Sequence, residues 1–218
     1  MKNSQVIAHL GSFEYVASDQ STIWSEEEFR IYGIEPGEFS PAYDEMLKNC
    51  IHPDDANLLH ETFMQALKNE AVYELEHRII RPDGSIRWVY DKAQPYFDEK
   101  GKLLRYVGTT LDITERKRAE EELRKSKVDL EEYFQNDISA DNVAAPSGQI
   151  LSCNKTFLNL FDFESQSEAK QFNVTKLYKN QHERQQLVHK VKQRHKIENQ
   201  EVELVSKSGR TICAMLNV

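Results

Sequence analysis

Cysteine is scarce in these 218 residues: Cys50, Cys153 and Cys213 stand far apart, with no CxxC pair. That excludes a disulfide framework and a cysteine-built zinc site and fits a reducing compartment. Each thiol is expected as a buried apolar filler. Long apolar runs are also missing, so no segment has the length to cross a bilayer. The opening MKNSQVIAHL lacks the hydrophobic stretch of a signal peptide. A cytoplasmic protein without a membrane segment is the expectation. Positive charge is in deficit, with a net charge of −8. Without a basic face, nucleic acid is not an expected partner. What is present is ordinary: 39% hydrophobic and 29% charged residues, in a chain long enough for one large or two small domains.

Glycine and proline are absent from one stretch in particular, Asp112 to Phe134, DITERKRAEEELRKSKVDLEEYF. Glu120 with Arg124 and Glu121 with Lys125 are acid-before-base pairs at the spacing that supports an exposed helix. Read at a seven-residue repeat, Arg116, Ala119, Leu123, Ser126, Leu130 and Tyr133 share one seam, with Phe134 beside it. That seam is too polar for a buried core helix and suits a weak two-stranded coiled coil. The plainer alternative is a solvated connecting helix without a partner. The expected dimer seam is Ala119, Leu123, Leu130, Tyr133 and Phe134. Asp112 with Glu115 fits a capping box, and Thr114 is the rival cap. One helix should therefore start directly off the strand LLRYVGTTLDI.

The first segment, residues 1–113, reads as an α+β domain. His9 to Ser18 and Thr22 to Trp24 are strand-like. Ser25 caps a short helix with acids in its first turn, and Gly33 stops it. Ser40 to Lys48 is a second short helix with Pro41 at its first position. His52-Pro53-Asp54-Asp55 opens the longest helix, whose Ala56, Leu59, Phe63, Ala66 and Leu67 recur at helical spacing. His52, Asp54 and Asp55 could be drawn as an acid–base or metal set, but no further cluster completes one, and helix-start chemistry explains them. The period then switches to two. Val72 to Ile80, Ile86 to Tyr96 and Leu103 to Ile113 form a meander around the turns PDGS and DEKG. Ile86, Trp88 and Tyr90 share one side.

Residues 114–135 are the connecting helix, and 136–218 repeat the first order. HRIIRPDG (His77 to Gly84) lies over VELVSKSG (Val202 to Gly209), an offset of 125 residues. FRIYGIE (Phe29 to Glu35) lies over LNLFDFE (Leu158 to Glu164), an offset of 129 residues. Gly33 meets Asp162 there, so the second helix is expected to stop differently. No second copy of LLRYVGTTLDI exists. The second sheet should therefore lack its last strand and show an unpaired edge. A fragment of a longer protein is the expectation.

TIWSEEEFRIYGI, IHPDD, EHRIIRPDGSIRWV and YVGTTLDITERKRAEEEL, in this order and spacing, resemble a PAS domain with a PAC tail over Leu10 to Leu123. DISADNVAAPSGQILSCNKTFLNLF, from Ile138, resembles the same family more weakly. The resemblance implies a five-stranded antiparallel sheet of order 2-1-5-4-3 with helices on one face, a sensory and dimerisation role, and a homodimer. It implies that Asp112, Ile113 and Thr114 transmit a signal to a downstream effector, most often a histidine kinase. The chain shows no phosphoacceptor helix, nucleotide-binding Gly-rich motif or cyclase motif. The expected fragment is thus a non-catalytic module like the input region of a bacterial or archaeal sensor kinase.

The alternative is a ligand-binding receptor coupled to a diguanylate cyclase or a transcription regulator. Members of the family bind haem, flavin or small metabolites between sheet and helices, or bind nothing. Cys50 lacks the NCRFLQ-like context of the photoreactive flavin group, and His60 lies off the apolar face of its helix. His182 and His189 read as surface residues. The cofactor stays open, with none the first expectation and haem and flavin disfavoured; no metal is expected. If a ligand pocket exists, its candidate lining is Tyr15, Phe29, Phe63, His77 and Trp88 in the first domain, and Phe157, Phe161, Val202 and Leu204 in the second.

Overall fold

The computed structural model describes residues 10–36, 42–194 and 196–218. The chain divides into two compact units, Met1–Glu122 and Leu123–Val218. One uninterrupted helix, Thr114–Asn136, carries the boundary.

In the first unit, strands β1 (Leu10–Val16), β2 (Thr22–Trp24), β3 (Tyr73–Ile80), β4 (Ile86–Phe97) and β5 (Leu103–Asp112) form one antiparallel sheet. Its order is β2-β1-β5-β4-β3, so β5 is the central strand. The meander turns sit at Gly84 and Gly101, with φ of 79° and 80°, a left-handed conformation that glycine adopts without strain. Helix α1 (Glu26–Tyr32) follows β2. Its N-cap Ser25 accepts the Glu28 amide, and Gly33, at φ 69°, ends it in the left-handed region. Helix α2 spans Tyr43–Asn49, with Ala42 as an N-cap that gives no side-chain bond. The expected start at Ser40 and Pro41 lies outside the described residues. Helix α3 (Pro53–Asn69) buries Leu59, Phe63 and Ala66, the face its spacing announces.

Sheet and helices close over an aromatic-rich core. The Phe63 ring stands edge-on to Tyr15 and Tyr73, with centroids 5.0 Å and 5.3 Å away. The fully buried Tyr106 shares its one hydroxyl proton between the Ala66 and Ala71 carbonyls, at 2.7 Å and 2.9 Å, at the end of α3.

In the second unit, β6 (Asn142–Ala144) pairs with β7 (Ile150–Cys153), and β8 (Gln200–Val205) with β9 (Thr211–Leu216). These remain two separate two-stranded sheets. No counterpart of β5 occurs among the described residues to join them. The helical layer is α5 (Lys155–Phe161), α6 (Gln166–Gln171), a 3-10 turn (Val174–Leu177) and α7 (Gln181–Arg194), counting the connecting helix as α4. Helix α6 was not anticipated. Its signal is Ser165, which accepts the Glu168 amide at 3.2 Å, the Ser-x-x-Glu start pattern.

Two expectations are corrected here. The second helix stops as the first does: Asp162 is its left-handed C-cap at φ 63°. Asp is among the few residues that tolerate this region. Its carboxylate also accepts from Ser208 (2.5 Å) and Arg210 (3.3 Å), which holds the conformation. Cys213 is exposed, not a core filler, because alternation along β9 turns Ile212 inward and its neighbour outward. Cys50 and Cys153 are buried, and burial pushes the Cys50 thiol up to about 11.

The repeat is accurate at single hydrogen bonds. The Ser12 amide donates to Ser25 Oγ at 3.0 Å, and the Asp141 amide donates to Asn154 Oδ1 at 3.0 Å. Both residues of each pair are related by the 129-residue offset. An arginine then caps the same carbonyl in both units. Arg81 Nε donates to the Ile31 carbonyl at 2.8 Å, and Arg210 Nη2 to the Leu160 carbonyl at 2.8 Å. The two arginines stand on opposite flanks of their hairpin turns. Arg81 faces Ser85 across its turn, and Ser206 faces Arg210.

Candidate functional site

The first candidate is the point where β5 becomes α4. The Ile113 amide donates to the Trp88 carbonyl at 2.9 Å, the last rung between this segment and β4. One residue on, Thr114 Oγ1 accepts the Trp88 amide at 2.9 Å. The Thr114 amide donates to Asp112 Oδ1 at 2.9 Å, and the Lys117 amide to the Ile113 carbonyl at 3.0 Å. Asp112 therefore caps the helix while the Thr114 hydroxyl is spent on the sheet. Glu115 does not reach back as a capping box requires; it pairs with Arg118 at 2.9 Å. Ile113 and Thr114 are 5% and 3% exposed, so the joint is buried.

The first turn of α4 is also held sideways. Arg116 and Lys117 both pair with Glu76 of β3, and they keep its carboxyl below its usual range. Lys117 Nζ lies 5.2 Å from the Trp88 ring centroid, and Arg78 covers the same ring at 5.6 Å. These exposed ion pairs contribute little singly, about 0–1 kcal/mol. The backbone rungs and the buried threonine set the joint. Beyond this turn, Ala119, Leu123, Leu130 and Tyr133 are exposed, and Phe134 is half-buried. Leu123, Leu130 and Tyr133 are 58%, 68% and 74% exposed, apolar surface on a helix rich in charged residues.

The second candidate is a cavity of about 40 Å³ between the sheet and α1–α3. Tyr15 and Phe63 line it as expected, together with Trp24, Tyr43, Glu28 and Asp91. Phe29 does not; it packs on Trp24 with centroids 5.3 Å apart. Trp88 does not either. It lies on the opposite face of β4 from Val89, Asp91 and Ala93, the residues that turn inward. His77 is buried next to the lining, with Nε2 3.9 Å from Asp91 Oδ2. Burial holds its imidazole below the usual range, against the pull of Asp91. Phe157, Phe161, Val202 and Leu204 are all buried in the second core, where the first two rings stand 4.6 Å apart.

Glu28 and Asp91 were not anticipated as site residues. Glu28 reads as one more first-turn acid, and Asp91 as a polar interruption. The pairing that brings them together is a row across the sheet: Gly11, Thr110 and Asp91 stand directly opposite one another on β1, β5 and β4.

His52, Asp54 and Asp55 serve the helix start. His52 Nδ1 accepts the Asp54 amide at 3.3 Å, and Asp55 takes Arg78 Nη2 at 2.6 Å, which lowers its carboxyl pKa. No group of three or more metal-binding side chains occurs among the described residues. His60 is exposed and meets the Tyr43 hydroxyl at 3.3 Å. His182 and His189 are exposed and lie beside Gln186 and Gln193. No helix among the described residues is long and apolar enough to cross a membrane.

Residues 21–110 match the family model described as PAS fold, and residues 143–218 the one described as PAS domain. An uncharacterized protein of Sinorhizobium fredii, y4lL, is 43% identical over 74 residues, covering 34% of this chain and 9% of that protein. A methyl sulfide methyltransferase-associated sensor of Methanosarcina acetivorans is 36% identical over 74 residues, 34% of this chain and 7% of that protein. The chain thus spans less than a tenth of these curated relatives. A solved sensory box histidine kinase/response regulator from Burkholderia thailandensis is 27% identical, with a TM-score of 0.50, covering 60% of this chain and 97% of that one. Fold and matches together define a sensory module of signalling proteins. The chain carries two PAS domains in tandem.

Proposed function

We propose that this chain is a non-catalytic relay: the first PAS sheet, residues 1–113, moves a helical lever, 114–135, that leads into the second PAS domain, 136–218. The observation that supports it is the joint at Asp112, Ile113 and Thr114. Backbone and side-chain bonds to Trp88 tie it to β4, and the helix begins without an intervening loop. A tilt of β5 is then passed to α4 as a rigid-body motion. The exposed seam of Ala119, Leu123, Leu130, Tyr133 and Phe134 makes the lever one half of a weak homodimeric coiled coil in the cytoplasm. Its polar positions keep two registers close in energy, which a switch needs. The effector is a histidine kinase, as the name of the Burkholderia thailandensis relative suggests.

Light scattering of a Leu123→Lys, Leu130→Lys double variant is the test. Monomers are expected where the parent chain gives dimers. A persisting dimer would move the interface elsewhere, for instance onto the first sheet. A second reading is favoured by the acids of the first cavity: this unit is a receptor whose first event is capture of a small molecule. Mass spectrometry of material extracted from the purified protein tests it, and an empty extract counts against it.

A further inference from the structure

Burial normally comes with hydrogen-bond partners, and one cluster in the first unit departs from that rule. Glu28, His77 and Asp91 are 1%, 1% and 6% exposed. Glu28 Oε1 accepts the Thr110 hydroxyl at 2.7 Å. Glu28 Oε2, Asp91 Oδ1 and both ring nitrogens of His77 have no hydrogen-bond partner among the described residues, although His77 Nε2 lies 3.9 Å from Asp91 Oδ2. The Thr110 hydroxyl has one proton and cannot serve both carboxyls.

The sheet makes room for this arrangement. Glu28 Oε2 lies over Gly11, where any Cβ would collide with it. The fold does not demand the polarity. At the same repeat offsets, the second unit places Phe157, Val202 and Leu216 where the first has Glu28, His77 and Asp91. Phe157 and Val202 are buried there, and Leu216 packs against the same core. Two acids in a position that an apolar trio can fill call for an occupant.

Glu28 and Asp91 line the cavity, and no Lys or Arg is among its described lining residues. Tyr15, Trp24, Tyr43 and Phe63 supply ring surface. An anion would be repelled. A neutral donor would leave the repulsion between the two carboxyls in place. A monovalent cation is drawn to both carboxyls, offsets one of their two charges, and gains from the ring faces. The volume of about 40 Å³ has room for roughly two or three water-sized groups.

We propose that this cavity binds a small organic cation, a protonated amine or short alkylammonium of about two to four heavy atoms. Glu28 Oε2 and Asp91 Oδ1 are its acceptors, and the aromatic rings form its wall. Burial, and then the Asp91 charge, holds the Glu28 carboxyl well above its usual range, and burial raises Asp91. A bound cation would pull both down.

This assignment rests on the receptor reading and is independent of the helical relay. The test is a titration of the full chain with methylammonium chloride, followed by amide NMR shifts, with sodium chloride and methanol as controls. Saturable shifts are expected at Gly11, Glu28, Asp91 and Thr110, with a midpoint in the millimolar range that suits so few atoms. Methanol should bind at least tenfold more weakly. Glu28→Gln and Asp91→Asn should each weaken methylammonium at least tenfold while keeping a folded spectrum. No saturation at these amides, an equal response to methanol, or unchanged titrations in both variants would overturn the assignment and leave a cavity for water. Were a variant to unfold, the methylammonium–methanol comparison on the parent chain still decides. A different molecule in the extracted material would keep the receptor and remove the cation.

Discussion

The two units use one plan to different ends. In both, a polar side chain at the end of β2 or β7 caps a short helix and ties it back to the preceding segment. In both, an arginine from a hairpin turn holds that helix at its far end. The first unit then runs β5 through the middle of its sheet and keeps ionisable groups in its core. The second holds two separate hairpins and an apolar core. The difference separates scaffold from function. What recurs is capping, turn chemistry and the helix stop. What changes is the interior, and with it what the interior can hold.

Three experiments sharpen or break this contrast. The largest effect is expected from Phe157→Glu, which gives the second unit the first unit's acid without Gly11, Thr110 or Asp91 around it. Loss of the buried ring and burial of a lone carboxyl should cost about 4 kcal/mol. Urea unfolding should show the second unit melting first; a loss below about 1 kcal/mol would mean that the two interiors are interchangeable.

Next come Arg81→Ala and Arg210→Ala, each expected to cost about 1–2 kcal/mol through the lost charge-assisted bond to a helix C-terminus. The exchange Arg81→Ser with Ser85→Arg should recover most of that loss in the first unit. Denaturant midpoints check this, and failure to recover would make the two arginines unrelated.

The smallest effect concerns pH. Glu28 faces Asp91, Thr110 and the Tyr32 ring, and its folded pKa is raised above its unfolded value. The folded state therefore holds the proton more tightly. The stability it contributes is full below about pH 4.5 and declines as pH rises through the window above, by at most about 1.4 kcal/mol per pH unit. Glu28→Gln should flatten that decline and raise stability at pH 8 by about 1 kcal/mol. Thermal melts across pH 5–8 read it, and parallel curves would remove the buried charge from the account.

Much of the scaffold was legible in the sequence because it depends on local chemistry. Ser25, Gly33, the PDG and EKG turns and the glycine-free run after Asp112 each report on residues within four positions. The faces of β4 were not legible. Trp88 and Tyr90 look like the core side, yet Trp88 lies under Arg78 and Lys117 on the outer face, while Asp91 turns inward. An aromatic ring satisfies either face of a sheet when a long cationic side chain covers it. The buried acids were hidden for a related reason. Glu28 sits where first-turn acids are favoured anyway, so its neighbours on distant strands alone reveal its role. Asp162 misled because a glycine-to-aspartate change looks like a lost stop, whereas the left-handed region admits both.

The crossed Arg81–Ser85 and Ser206–Arg210 pairs bear on how such duplicated modules are compared. A column-by-column alignment scores two mismatches there, although an arginine serves the equivalent carbonyl in both halves. Ancestry between such repeats is better traced through the acceptor that must be satisfied than through the side chain that happens to reach it.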